Sequence, residues 1–512
     1  MSDPLIVDEI LQPSETPLKA LYRHAYEQPD ATALIAGDDV WTYGRLANDV
    51  ARLSGGLKRA EVLPGDRIVL VVRTAPLYAV FMYAAMITGA IVVPLKTEFK
   101  AIELNELLRM QRPAVFVYEA DLQDVVSEID PELLRDTQSF LADDIGMRSW
   151  RCLLDDESAK DVALPVDIDS VFLLLATSGT TGKPKLVAYN QRVMSYVVGA
   201  RASWNITRDT CMVGNTPVAH ASGTIGMLAA LIAGCREVLL KRFDADAVLD
   251  VIEAHGATMV FLTPFLCLLL IEAQRNRPRD VRSLRLCVVA GDACRPQVAT
   301  AFESTFGIQL RNIFGMTECS GSTTFGYDHR LIRGVPGRTR LVGTDGLPVA
   351  PGEVGEMQLR GPNLSLGYWT GPGVVVNNTQ DGWFSSGDLM EESVDGDYRF
   401  VGRRKDLIVH NASNISPVEV ETELIQHEAV EDAAVAGAPD DVSGQRVVAL
   451  VKLTSAATSD ISAAGKVLEW IKSRIAAFKV PERIVIVDVI PRNALGKVDR
   501  NEVTRIVMCH SD

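Results

Sequence analysis

The chain lacks the spacings that hold metals or disulfides. Its eight cysteines stand at 152, 211, 235, 267, 287, 294, 319 and 509 with no CxxC pair. Its seven histidines form no HExxH and no close pair, which argues against a zinc site. Scattered thiols of this kind read as reduced residues of a cytoplasmic protein. A basic excess is also missing. Lys and Arg number 51 against 66 Asp and Glu, a formal net charge of −15. No global field draws nucleic acid or an anionic membrane, so an anionic substrate must be held by a local site. The opening MSDPLIVDEILQPSE is acidic and lacks a long apolar segment, unlike a secretory signal. One uncharged run, LYAVFMYAAMITGAIVVPL from Leu77 to Leu95, has the length of a membrane span. It breaks at Gly89 into a helical half and a β-branched half, which predicts a buried helix feeding a buried strand and no membrane span.

What is present is ordinary globular composition, 47% apolar and 23% charged over 512 residues, enough for more than one domain. WTYGRLANDVARLSGGL places Leu46, Val50 and Leu53 at helical spacing. DRIVLVV is a β-branched strand, IELNELLRM a helix and AVFVYEA a strand. The alternation resumes with ADAVLDVIEAHG, ATMVFLT, LRLCVVAG, QVATAFESTFG and IQLRNIFG. Such alternation predicts an α/β fold with largely parallel sheets. From about residue 335 Gly and Pro become dense, which predicts a small β-rich part of short strands and tight turns. Ser416-Pro417-Val418-Glu419 predicts a helix start with a capping box. VEDAAVAGA, RVVALVKL, AAGKVLEWIKSRIAAF and RIVIVDVI then read as strand, strand, helix and strand. The expected architecture is a large multi-layer N-terminal domain over 1–403, a hinge near Arg403 to Asp406, and a small α+β C-terminal domain over 404–512.

The stretch LLLATSGTTGKPKLVAYN, Leu173 to Asn190, ends an apolar run in Ser, Thr and Gly and then flanks a proline with lysines. It is not the GxxxxGK[ST] phosphate loop. Gly179 and Gly182 have two residues between them, and Pro184 follows Lys183. Its physics is still phosphate-like: hydroxyls from Thr177, Ser178, Thr180 and Thr181, close backbone approach at Gly179 and Gly182, and charge from Lys183 and Lys185. The string resembles the triphosphate loop of adenylate-forming enzymes, the family of acyl-CoA synthetases, firefly-type luciferases and peptide-synthetase adenylation domains. Four more strings resemble that family's motifs in the family's order. NIFGMTE, Asn312 to Glu318, looks like its nucleotide and magnesium motif, and GWFSSGDL, Gly382 to Leu389, like its ribose motif. GRRKDLI…NISPVEVE, Gly402 to Glu421, looks like its hinge, and PRNALGKVDR, Pro491 to Arg500, like its catalytic-lysine segment. Five ordered motifs across most of the chain are far more specific than one.

The resemblance implies a chemistry. With ATP and Mg²⁺, a carboxylate attacks the α-phosphorus to give an acyl-adenylate and pyrophosphate, and the thiol of CoA then captures the acyl group. Two anions must meet, so positioning and charge neutralisation carry the reaction. Thr177, Ser178, Gly179, Thr180, Thr181, Gly182 and Lys185 would cover the outer phosphates. Asn312, Ile313, Phe314, Gly315 and Met316 would line the nucleotide, with Thr317 on a phosphate oxygen and Glu318 on Mg²⁺. Asp388 would accept ribose hydroxyls, and Arg403 would add ribose or phosphate contacts. Gly291, Asp292 and Ala293, at a strand end, would flank adenine, with a helix cap as the alternative for Asp292. Lys497 would reach both the carboxylate and the α-phosphate. Lys405 would be the hinge on which a mobile C-terminal domain turns.

NTPVAHASGTIGML resembles the family's acyl-pocket segment, with His220 at its gate. No acid stands there to meet an ammonium group, and the small residues leave space, so an apolar acyl or aryl carboxylate fits best. FLTPFLCLLL offers either pocket wall or core. Two departures concern the acceptor: Asn411-Ala412 stands where the family carries Gly-Gly, and Leu186 and Tyr189 replace Gly and His after the phosphate loop. The leading expectation is an acyl- or aryl-CoA ligase acting on a small-molecule carboxylic acid, with no nucleic-acid partner. The alternatives are an acyl-AMP ligase serving the thiol of an acyl carrier protein or another nucleophile, and a non-catalytic nucleotide-binding relative. A homo-oligomer stays open.

Overall fold

The structure is a computed structural model that describes residues 15–143, 148–154, 167–178, 184–199, 204–411, 413–440, 443–460, 462–493 and 496–509. The expectations for Gly179, Thr180, Thr181, Gly182, Lys183 and Ala412, and for the side chain of Ser178, lie outside the described residues.

The β-branched runs become strands covered on both faces, as parallel strands under helices must be. Arg67–Val71 and Ile91–Leu95 are buried throughout. They sit inside an eight-stranded sheet, in spatial order Val374–Val376, Gly367–Gly371, Pro184–Asn190, Val171–Ser178, Ile91–Leu95, Arg67–Val71, Val115–Tyr118 and Gln138–Leu141. A seven-stranded sheet runs Leu310–Asn312, Leu286–Val289, Met259–Leu262, Cys211–Gly214, Arg236–Leu239, Thr32–Ala36 and Asp39–Thr42, parallel except for its last pair. Helices Tyr43–Arg59, Leu77–Thr88 and Ala221–Ala233 share one apolar core with strands of both sheets. All of Leu77–Thr88 is buried, and Gly89 closes it in the left-handed conformation, φ 77°. The uncharged run is therefore core. Among the described residues no helix is long and apolar enough to cross a membrane.

The Gly/Pro-dense region forms a six-stranded antiparallel sheet, Thr323–Phe325, Ile332–Gly334, Asp397–Arg403, Phe384–Glu392, Val354–Leu359 and Thr339–Val342. The smaller C-terminal part has its own sheet, built on Val430–Asp440 and Gly444–Leu453, with cores on both faces.

Two details differ from the sequence expectation. Pro184–Asn190 is a strand, antiparallel to Val171–Ser178, so the phosphate-like string caps a hairpin and the sheet is only half parallel. Pro184 is tolerated because it opens the strand. The capping box at Ser416 is half made. Ser416 accepts from the Glu419 amide at 3.4 Å and donates to the Val401 carbonyl at 2.5 Å, while the Glu419 carboxylate pairs with Lys479 at 2.6 Å.

Candidate active site

The hairpin fixes one wall. Thr177 pairs with Lys185 across it, and Lys185 lies 4.6 Å from the ring centroid of Tyr368 on the next strand. The Tyr368 hydroxyl donates to Glu318 Oε1 at 2.9 Å, and the Tyr189 hydroxyl donates to the Thr317 carbonyl. Two tyrosines thus tie the Thr317–Glu318 turn to the hairpin and to the strand beside it. The turn is closed by reciprocal backbone bonds between Met316 and Cys319, at 2.9 and 3.1 Å. Upstream, Ile313 N–H donates to the Val289 carbonyl at 3.1 Å and Phe314 N–H to Thr323 Oγ1 at 3.2 Å, while the Asn312 amide donates to the Arg330 carbonyl at 2.8 Å. Glu318 is buried, and burial of the Tyr368 hydroxyl, then the Glu318 carboxylate beside it, push the hydroxyl pKa up. Among the described residues no three His, Cys, Asp or Glu gather as a metal site, and Glu318 stands as a single carboxylate. Tyr189, met in the sequence as a departure, has this structural task.

The second wall is the register pair Asp388–Arg403, where Arg403 Nε donates to Asp388 Oδ1 at 2.8 Å. Asp388 is 3% exposed, and burial raises its carboxyl pKa while Arg403 and Lys497 oppose the shift. Lys405 follows in the exposed turn Arg404–Asp406. Asn411 has φ 48°, the left-handed conformation that its short polar side chain tolerates.

Lys497 reaches these groups from the C-terminal part. Its turn is closed by Gly496 N–H to the Asn493 carbonyl at 2.8 Å, Asn493 N–H to the Lys497 carbonyl at 2.9 Å, and Lys497 N–H to Asn493 Oδ1 at 3.2 Å. The turn rests on Phe265, whose ring also takes the Arg492 guanidinium at 4.9 Å. Arg492 in turn pairs with Asp432 at 2.5 Å. Gly291, at φ 90°, opens the space for the ammonium: a Cβ there would lie 2.9 Å from Lys497 Cε and 3.1 Å from Nζ. Burial, then Arg403 and Lys96, lower the Lys497 pKa, against Asp292 and Asp388. Asp292 is exposed and, among the described residues, accepts from its neighbour's amide, Ala293, at 2.9 Å. Arg295 holds the cap position of the following helix, Pro296–Phe306, so the capping alternative for Asp292 fails.

His220 stands at the N-cap of Ala221–Ala233 without a capping bond. Burial, then Lys96 and Lys497, push its imidazole down to about 3, so it is neutral at ordinary pH. Lys96 is the residue that sequence reasoning missed. It follows strand Ile91–Leu95, which runs parallel to Val171–Ser178 with Val92 opposite Leu173, so it emerges on the edge where Thr177 enters the phosphate-like string. Its own pKa is lowered by burial. The only sequence signal was a lysine closing the apolar IVVPL. Beside Ile313 and Phe314 a cavity is lined by Val197, Trp204, Gly321 and Thr323, and Trp204 stacks on Phe325 with centroids 5.7 Å apart. FLTPFLCLLL sends Leu266, Cys267 and Leu270 into the core and Phe265 under the Lys497 turn.

This arrangement gathers the Lys96 and Lys497 ammonium groups about a neutral imidazole, with the Arg403 guanidinium beside Lys497. It can bring a carboxylate and a phosphate together. Comparison with known proteins agrees. The AMP-binding enzyme model matches residues 21–369, and the model of the AMP-binding enzyme C-terminal domain matches residues 419–497. A feruloyl-CoA synthase from Amycolatopsis sp is 32% identical over 494 residues, covering 94% of this chain and 97% of the relative. An indoleacetate–CoA ligase from Aromatoleum aromaticum is 31% identical over 503 residues, covering 95% and 97%. The crystal structure of ATP-bound MatB from Rhodopseudomonas palustris shares the fold at TM-score 0.86 and 24% identity, covering 96% of this chain and 99% of that one.

Proposed function

The chain belongs to the AMP-binding enzyme family, and we propose that within it the protein is an aryl-CoA ligase. It is an AMP-forming acid–thiol ligase: a carboxylate is activated by ATP to the acyl-adenylate with release of pyrophosphate, and CoA then takes the acyl group as a thioester. The relatives support an aryl or arylalkanoic acid as substrate: those at 31–32% identity are named for ferulate and indoleacetate.

The observation that carries the adenylation role is the seat of Lys497 over Gly291, beside Asp388–Arg403. There the ammonium meets the attacking carboxylate and the α-phosphate oxygens and offsets their repulsion. Asp388 accepts the ribose hydroxyls, held in place by Arg403. Gly291 to Ala293 and Asn312 to Met316 flank the base. Thr177, the hydroxyl-rich string after it and Lys185 take the outer phosphates. His220, being neutral, closes the acyl cavity without a second charge. Glu318 with Thr317 suits Mg²⁺, which takes one or two protein carboxylates and completes its shell with phosphate and water. Bound there, the ion supplies charge neutralisation at the phosphates. The hinge at Lys405 divides 1–403 from 404–512. Its rotation withdraws Lys497 and admits the thiol past Asn411. The eight free cysteines suit the reducing cytoplasm.

The test is pyrophosphate release across aryl, arylalkanoic and fatty acids, with and without CoA, by wild type and Lys497→Ala. Loss of a preorganised charge should slow adenylation by roughly 10²–10³-fold. CoA capture of a supplied acyl-adenylate should survive. An unchanged adenylation rate in the variant refutes the role of Lys497. An adenylate that CoA never captures moves the acceptor to a carrier-protein thiol.

A further inference from the structure

Glu237 has no part in the chemistry above. It sits in the central strand Arg236–Leu239, opposite Met212 on one side and Leu34 on the other. Such positions are normally apolar. Glu237 is 4% exposed, and its Oε2 has no hydrogen-bond partner among the described residues. Burying a carboxyl without a hydrogen-bond partner is unfavourable. Burial pushes its pKa up to about 8, so at neutral pH it is a carboxylic acid with both a donor and an acceptor.

Two glycines adjoin it. Gly214 admits the carboxyl on one side, where a Cβ would lie 2.9 Å from Glu237 Oε1 and 2.8 Å from Leu239 Cδ2; Gly226 leaves open space on the other, where a Cβ would meet nothing but that oxygen, at 4.0 Å. Gly226 is also the one residue of its helix between Gly223 and Ile232 that is not buried. Space therefore reaches it from outside the packed core. One turn further along the helix, Ala230 packs with Met212 in a cluster that Trp204 and Ile313 complete, and those two line the cavity beside the nucleotide segment. Gly226 lies six residues past the gate residue His220, about 9 Å along the helix axis. That is the depth of an aromatic ring with a short linker.

We infer that Glu237 is the distal specificity determinant of the acyl cavity, where its carboxyl hydrogen-bonds a hydroxyl or ring N–H at the far end of the substrate acid. The inference rests on the carboxylate-activating function and selects, among aryl acids, those with a polar far end. A site built to pair such a group discriminates strongly against the analogue that lacks it.

The experiment compares kcat/KM for matched acids: coumarate against cinnamate, hydroxyphenylacetate against phenylacetate, and an ω-hydroxylated against a plain fatty acid. Wild type should prefer the hydroxylated member of an accepted pair. Glu237→Leu should cut that ratio at least tenfold, chiefly by raising activity on the plain acid relative to the hydroxylated one. Glu237→Gln keeps a donor and an acceptor and should hold the ratio within about threefold. A merely structural role would lower both members alike and leave the ratio unmoved, which overturns the inference. So does a wild type indifferent to the hydroxyl in every pair. Gly226→Ala gives a second handle that does not disturb Glu237. Its methyl enters the space before the carboxyl, so it should lower activity on the hydroxylated acid selectively while the helix gains stability. If only the fatty-acid pair is accepted and its ratio collapses in Glu237→Leu, the aryl reading falls and the role of Glu237 stands.

Discussion

Gly496→Ala should disable adenylation and spare thioester formation. Gly496 has φ 74°, and a Cβ on it would lie 2.3 Å from Cδ1 and 2.8 Å from Cγ of Phe265. An ordinary carbon–carbon contact begins at about 3.5 Å, so the turn must retreat by roughly 1.2 Å. The left-handed backbone adds about 1–2 kcal/mol for a residue with a Cβ. Lys497 is the next residue, so the retreat reaches its ammonium almost undiminished and lifts it off Gly291. A misplacement of about 1 Å at a reacting group costs on the order of 10²-fold in rate. The assay measures the two half-reactions apart: a single-turnover burst of pyrophosphate from ATP and acid, and CoA capture of a supplied acyl-adenylate. The burst rate should fall about 10²-fold, which is about 2.7 kcal/mol, and capture should change by less than about twofold. Phe265→Ala removes the obstructing ring. In the double variant at least about tenfold of the loss should return, with the backbone strain as the remainder. A Gly496→Ala enzyme that adenylates within about threefold of wild type refutes the reasoning. So does a double variant no faster than Gly496→Ala, because the contact with Phe265 would then not be what seats Lys497.

His220 should titrate near 3, far below its ordinary value of about 6.5. Between those values the unfolded chain binds a proton that the folded chain refuses, so stability falls as pH drops from about 6.5. His220→Gln should flatten that arm of a urea-unfolding pH profile, and an unflattened arm would mean that the imidazole is not held neutral. Burial is the first cause of the shift and Lys96 the second, so Lys96→Met should move the His220 resonance titration upward. Tyr189→Phe removes the hydroxyl that holds the Thr317 carbonyl, worth about 1 kcal/mol. KM for ATP with Mg²⁺ should rise severalfold while the rate of CoA capture stays unchanged, and an unaltered KM would dissociate Tyr189 from the Thr317–Glu318 turn.

Elements legible in the sequence are those whose reason for existing is local. DRIVLVV and AIVVPL are β-branched because both faces are covered, and the break at Gly89 is visible because only glycine closes a helix there without strain. The motif residues are legible because their neighbours share their task. Residues whose partner lies in another element are not. Lys96 reads as a solvated lysine until its strand is seen to pair with the one that leads into Thr177. Leu186 and Tyr189 read as departures until Leu186 is found buried against Trp369 and Tyr189 on Thr317. Phe265 reads as one more core residue of FLTPFLCLLL, and only the C-terminal turn folding back shows that it seats Gly496. Glu237 carries this furthest. Alternation cannot tell whether a strand such as REVLL lies at an edge or in the middle of a sheet. With strands on both flanks and a helix above, no wet face exists. The acid must then be neutral, and its second oxygen has no partner among the described residues. An exposed carboxylate at that position would need no explanation, whereas a buried one facing the open space at Gly226 calls for a partner that the described residues do not supply.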